Sequence, residues 1–286
     1  MNEKRFNENF GGGGNLSTTP SSCRLSLLEK CRSALLCRHE RVNKVAFTLA
    51  EVLITLAIIG VVAAMTMPTL IQNHQKRSLE VATKKFYSMM SQAVRQYMAD
   101  EGVDDLRNTA LASDNYEDIS SPESIESIRN FVTKYLKVAK ECYHDANDCF
   151  ASDYKVWDGS QNIDFIQSTS NMTSFKDYVL ADGSIIKIGF YSDNYPISLY
   201  VDVNGKKGPN KIGYDFWTMS IFYDGSIDES EVTPERKKNE KVYSACCNED
   251  STPSECRALR FEKSCQKGSY GGCFGHFLEN GFKFDY

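Results

Sequence analysis

The sequence predicts an α+β fold. A long N-terminal helix, with a membrane-embedded first half, packs its second half on a small antiparallel β-sheet followed by a disulfide-rich C-terminal tail. Three observations carry this expectation. Val52 to Gln75 contains no Asp, Glu, Lys or Arg. Beyond it Leu79, Ala82, Phe86, Met90, Ala93 and Tyr97 recur at the three- and four-residue steps of a helix face. After Phe175 the pattern turns to short β-type runs separated by Asp-Gly and Asn-Gly pairs.

The chain has 286 residues, 41% hydrophobic and 25% charged, a length that suits an anchor plus one core-forming domain. Charge is divided sharply. Residues 1–46 carry eight Lys/Arg against four Glu, a formal +4, and the remainder carries 25 Lys/Arg against 34 Asp/Glu, a formal −9. Basic residues just before an apolar segment favour keeping that flank in the cytoplasm, so the acidic part is expected on the exported side. A negative domain is a poor binder of phosphate backbones, and no direct nucleic-acid partner is expected. The tract Gly11–Gly14, with Ser and Thr near it, reads as linker.

The run Phe47–Ile71 is long enough to cross a hydrocarbon layer of about 30 Å, with the spanning segment at about 49–71. An ordinary secretory signal is the alternative, with Ala63-Ala64 as its cleavage site. Glu51 argues against it. A carboxylate at membrane depth costs roughly 2–3 kcal/mol unless partnered. A Glu that merely reaches back to water from the interface is the bland account of the same residue.

The stretch Lys44-Val-Ala46-Phe47-Thr-Leu-Ala-Glu51-Val-Leu-Ile-Thr-Leu-Ala-Ile-Ile-Gly60 resembles the prepilin cleavage and methylation motif of type IV pilins and type II secretion pseudopilins. The resemblance implies that a membrane prepilin peptidase cuts between Ala46 and Phe47 and methylates the new amine of Phe47. It places Glu51 at the fifth mature position, where it would neutralise that amine on a neighbouring subunit. It places Pro68 where many pilins carry a helix-kinking proline. The family usually has Gly before the cut where this chain has Ala46, and the leader 1–46 is long for the family. The implied layout is a leader 1–46, a helix 47–102 and an exported head 103–286 with a Cys-rich tail 246–286.

The helix is expected to stop at Gly102. A second helix is predicted over Pro122–Lys140, capped by Ser121, with Ile125, Ile128, Phe131, Val132, Tyr135, Leu136 and Val138 as its apolar face. A hairpin is predicted around Asp182-Gly183. Further strands are predicted at Ile197–Val203 and Phe216–Tyr223, with turns at Asn204-Gly205 and Asp224-Gly225.

Ten cysteines occur. Cys23, Cys31 and Cys37 lie in the leader and should stay reduced. Cys142, Cys149, Cys246, Cys247, Cys256, Cys265 and Cys273 lie on the exported side, where disulfides are expected rather than zinc. Cys142 and Cys149 can close a short loop, and the C-terminal group could staple the tail to the sheet. Connectivity is open.

The segment from Asp202 to Asp215 offers Asp202, Asn204 and Asp215 among glycines, which suits calcium; it is loosely similar to the calcium loop of major pseudopilins. A Gly/Asn-rich loop capped locally by Asp215 accounts for the same residues. The expectation is therefore no cofactor, with calcium as the alternative. The four histidines are scattered, and no nucleophile-elbow, zincin or P-loop sequence occurs. Cys273 with His276 reads as a disulfide cysteine beside a surface histidine.

These readings lead to a non-enzymatic filament subunit, pilin or pseudopilin. Its partners would be other subunits, the prepilin peptidase, an inner-membrane assembly platform and membrane lipid. It would be single-pass in a bacterial inner membrane with its head exported, then part of a filament. The competing expectation is an exported binding protein or adhesin that uses the helix only as an anchor.

Overall fold

The structure is a computed structural model and describes residues 48–112, 117–142, 149–164, 172–191, 197–230, 232 and 251–286. The chain divides into two compact units. The first, Met1–Thr55, contributes the opening turns of helix α1 to the described residues. The second, Leu56–Tyr286, holds the rest of α1 and the folded head.

Helix α1 spans Leu49–Glu101 and contains Pro68 in its interior. Its two halves differ in environment. From Leu49 to Ile71 the large apolar side chains are exposed, Leu70 at 71% and Ile71 at 56%. From Leu79 onward Thr83, Phe86, Met90, Val94 and Met98 are buried on one face. The stop at Gly102 follows from backbone sterics. Its N–H donates to Ala99 O, the N–H of Val103 donates to Met98 O, and its φ of +68° suits a residue without Cβ. That is the Schellman closure of a helix C-terminus.

Helix α2, Pro122–Tyr135, is capped by Ser121, whose side chain accepts from the N–H of Ser124, and Pro122 sits at its start. Ile128, Phe131 and Val132 are buried. The expected extension to Lys140 is corrected. The chain is extended at Leu136, and Val138–Cys142 forms strand β1. Pairing with a neighbouring strand satisfies that backbone, and a short apolar run such as Leu136–Val138 carries no periodicity that separates the two outcomes.

The main sheet has six strands in the order β1-β4-β5-β6-β7-β8, all antiparallel. After β1 the strands are β4 (Phe175–Leu180), β5 (Ile185–Gly189), β6 (Ile197–Asp202), β7 (Phe216–Ile221) and β8 (Ile227–Asp228). The predicted hairpin and both predicted strands are present. The small hairpin of β2 (Asp153–Lys155) and β3 (Asn162–Asp164) lies outside this sheet.

Register puts Tyr178, Ile186, Val201 and Trp217 opposite one another on one face. Helix α1 packs there, and Trp217 Nε1 donates to Thr83 Oγ1 at 3.1 Å. The other face carries Asp177, Lys187, Tyr200 and Thr218 in a row. Phe150 and Tyr154 cover Phe216 on that side, and Thr218 donates to Tyr270 O. With both faces covered, all of β5 is buried.

The C-terminal region adds helices α3 (Pro253–Lys263) and α4 (Cys273–Glu279), neither of them expected. The start of α3 was legible, since Thr252-Pro253-Ser-Glu255 forms a capping box with Pro at the first turn. Cys142 is bonded to Cys149, as the short-loop reading anticipated, and Cys265 to Cys273. Cys256 is disulfide-bonded as well. Cys246 and Cys247 lie outside the described residues.

The expectation that cysteines staple the tail to the sheet is corrected for Cys265 and Cys273, whose bond is internal to the tail. Side chains join tail to sheet instead. Glu229, just past β8, accepts N–H groups from Gly272, Phe274 and Gly275. Arg257 pairs with Asp228. Phe277 and Phe284 pack on Trp217.

Candidate functional site

Two places carry the chemistry that the sequence singled out. The first is the start of α1. Ala46 and Phe47 lie outside the described residues. Glu51 is described and exposed, and its carboxylate accepts from the N–H of Thr48 at 2.8 Å and from Thr48 Oγ1 at 3.0 Å. Thr48 Oγ1 in return accepts from the N–H of Glu51. This reciprocal pair is a capping box, which satisfies two donors that a helix start otherwise leaves open. The Thr-x-x-Glu spacing is visible in the sequence, so Glu51 has a local structural role beside any intermolecular one. The helix that follows is apolar and unburied enough to span a membrane by length and composition. Removing its exposed side chains from water would contribute about 25 cal/mol per Å² of apolar surface. Lipid or another protein surface can supply that cover.

The second place is the loop between β6 and β7. Asp202 closes β6, and its backbone pairs across the ladder with Phe216, the neighbour of Asp215. Both carboxylates are fully buried. Asp202 accepts from Tyr154 Oη at 2.6 Å and from the N–H of Asn204. Asp215 accepts from the N–H groups of Asn210 and Lys211 at 2.8 and 2.6 Å. Burial pushes Asp202 up to about 8, helped by the negative charge of Asp215. Burial pushes Asp215 up to about 6, against the hydrogen bonds from Lys211 and Asn210. Burial also raises the phenol of Tyr154, as does the adjacent Asp202.

The three residues named for calcium are thus brought together, with differing fit. The backbone hydrogen bonds make the pair loop caps, as the local-capping account expected. Among the described residues no group of three His, Cys, Asp or Glu could hold a metal. Calcium also takes amide oxygens, however, and Asn204 Oδ1 and Asn210 Oδ1 are buried acceptors without a hydrogen-bond donor among the described residues. Asn210 was not singled out from the sequence. Its signal in the sequence is its place in the Gly208-Pro209-Asn210 turn, since Asn tolerates the positive φ, here +49°, that it adopts.

The remaining candidates resolve simply. Cys273 is in a disulfide, so its sulfur is not a free thiolate, and His276 stacks on Phe261 at 3.9 Å and contacts Asp285.

The family model described as a family of unknown function, DUF6613, matches residues 69–259, about two thirds of the chain. The chain belongs to this family. No curated protein and no solved structure matches it. The DUF6613 region begins one residue after Pro68 and so takes in the buried half of α1, the whole sheet and the Asp202–Asp215 loop. The stretch Lys44–Gly60 lies before it.

Proposed function

We propose that this DUF6613 protein is a structural subunit of a type IV pilus-type or type II secretion-type filament, cut before Phe47 by a prepilin peptidase. The observation that carries the reading is Glu51 at the head of a helix whose apolar side chains from Leu49 to Ile71 lie exposed. Such a segment serves two environments in turn. In the bilayer, lipid covers it. In a filament, neighbouring copies of the same helix cover it, and the freed amine of Phe47 on one copy supplies the cation that Glu51 on the next requires when buried. The motif register from Lys44 to Gly60, the basic leader and the acidic head support the same reading. Other subunits, the peptidase and an inner-membrane platform are its partners, and the filament lies in the periplasm or at the cell surface.

Mass spectrometry of the mature chain tests this directly. The expected result is a methylated Phe47 at the amino terminus, with full-length precursor retained in the membrane when Ala46→Arg blocks the cut. A mature start near Ala64 would replace the filament reading with ordinary secretion.

One observation favours a second reading, an exported binding protein that uses α1 only as an anchor. The capping box with Thr48 gives Glu51 a partner within its own chain. A separate reading concerns the loop. Calcium there would be held by Asp202, Asp215, Asn204 and Asn210, and it would add positive charge beside two buried carboxylates. Its support is the pair of amide oxygens without donors.

A further inference from the structure

Helix α1 leaves its apolar stretch at Ile71 and reaches Lys76 and Arg77 five and six residues later, about 8–9 Å along the axis. The head folds back to this same level of the helix. Lys76 Nζ donates to Tyr286 O and lies 6.0 Å from the centre of the Tyr214 ring. Lys211 Nζ lies 4.2 Å from the centre of the same ring. The loop after β6 carries Lys206 and Lys207, both exposed, on the wall of a groove of about 770 Å³ formed with Gln75, Ser78 and Leu79 of α1. Two separate parts of the chain, α1 itself and the loop between β6 and β7, thus set cations beside the first turns of α1 beyond its apolar segment.

Among the described residues the acidic groups facing these cations are Glu80, Asp158, Asp182, Asp215 and Asp285. Glu80 accepts the N–H of Phe284, Asp182 pairs with Lys85 at 3.1 Å, and Asp285 contacts His276. Asp158 and Asp215 offset Lys211 in part. Burial together with the nearby cations Lys76 and Lys155 still holds Lys211 below the usual lysine range. Lys76, Arg77, Lys155, Lys206, Lys207 and Lys211 gather here in a collar, although the chain from residue 47 onward sums to −9. Half-buried aromatic residues, Tyr214, Tyr286 and Trp157, lie among these cations and contact one another through Tyr286. Lysines interleaved with Tyr and Trp suit the headgroup layer of a bilayer.

We propose that this collar is a docking face for anionic phospholipid headgroups, engaged by Lys76, Arg77, Lys206, Lys207 and Lys211. The inference rests on the reading that the segment before it lies in a bilayer. The choice of lipid over another protein follows from tethering. A head attached to an inserted helix is held at the membrane surface, so each weak contact forms at high effective concentration. A second copy of the acidic head offers complementary charge too, but in the bilayer, before assembly, nothing holds it at this level of the helix. Attraction to an anionic surface falls off within a Debye length of about 8 Å, so only cations close to the apolar boundary take part.

The test uses the full chain reconstituted into phosphatidylcholine vesicles and into vesicles with phosphatidylglycerol added. Flotation reports insertion, and amide hydrogen exchange over residues 203–211 reports the collar. The expected result is equal flotation in both compositions, with exchange slowed about fivefold for each engaged cation in the anionic vesicles. High salt and the double variant Lys206→Glu/Lys207→Glu should reverse the slowing and leave flotation unchanged. Equal exchange in the two compositions overturns the proposal. Slowing that follows protein density rather than lipid charge assigns the face to a second copy and also overturns it. Failure to float in either composition removes the bilayer reading, and the lipid face with it.

Discussion

At the scale of single residues, Glu51 holds two explanations that one pair of substitutions separates. Glutamine can serve at the third position of a capping box, whereas valine cannot. Glu51→Gln therefore keeps the bond to Thr48 and loses only the charge, and Glu51→Val loses both. If the carboxylate pairs with a neighbour's amine, both variants should be inserted and processed normally and both should be depleted from sheared filament fractions. Wild-type recovery of the Gln variant, with loss of the Val variant alone, would mean that the cap is what matters. The Asp202–Asp215 loop yields to a similar argument. A ligand that binds only the folded state stabilises by about 2.7 kcal/mol at a hundredfold excess over its Kd. Millimolar calcium should raise the melting temperature by several degrees, EDTA should reverse the rise, and Asp215→Asn should abolish it. No change in melting temperature with calcium would leave these residues as loop caps.

At the scale of elements, the C-terminal helices depend on one buried carboxylate. Glu229 is fully buried, receives three backbone N–H groups at the start of α4, and has Arg260 3.7 Å away. An amide in its place turns an NH₂ group toward donors. Glu229→Gln should therefore cost about 2–4 kcal/mol in urea unfolding with disulfides intact. Gly272 is bound to the same site. Its φ is +91°, and a Cβ there would lie 2.3 Å from Arg260 O. Gly272→Ala should cost roughly 1–3 kcal/mol from backbone strain alone, with the clash added. Losses below about 0.5 kcal/mol for both would show that the tail is held by its aromatic contacts and disulfides instead.

At the scale of the whole molecule, the buried part of α1 begins at Leu79, so the head owes no core contact to residues before it. A chain starting at residue 72 should fold as a soluble domain with native near-ultraviolet circular dichroism. An unfolded or aggregated product would mean that the apolar half of α1 stabilises the head in a way its exposure does not suggest. The α+β class was legible because the 3.6-residue periodicity of Leu79–Tyr97 and the short β-type runs after Phe175 are written into residue order. The Asp-Gly and Asn-Gly pairs marked turns because few other residues accept the backbone they need. The end of α2 was not legible. Val138 and Leu136 suit a helix face and a strand edge alike, and only the presence of β4 alongside decided it.

The sequence by itself determined the anchor-like run with Glu51 near its start, the stop of α1 at Gly102, and the hairpin and strands marked by their Asp-Gly and Asn-Gly turns. Each follows from neighbours within a few residues, where sterics, charge and periodicity act without the rest of the fold. Tertiary structure alone decided the remainder. It brought Asn210 to the Asp202–Asp215 pair, placed Glu229 under Gly272 and Phe274, and gathered Lys76, Lys206 and Lys211 at one level of α1. Those groups are separated by up to about 135 residues along the chain. Burial and convergence between distant segments come from packing, and no local pattern encodes which distant segment will arrive.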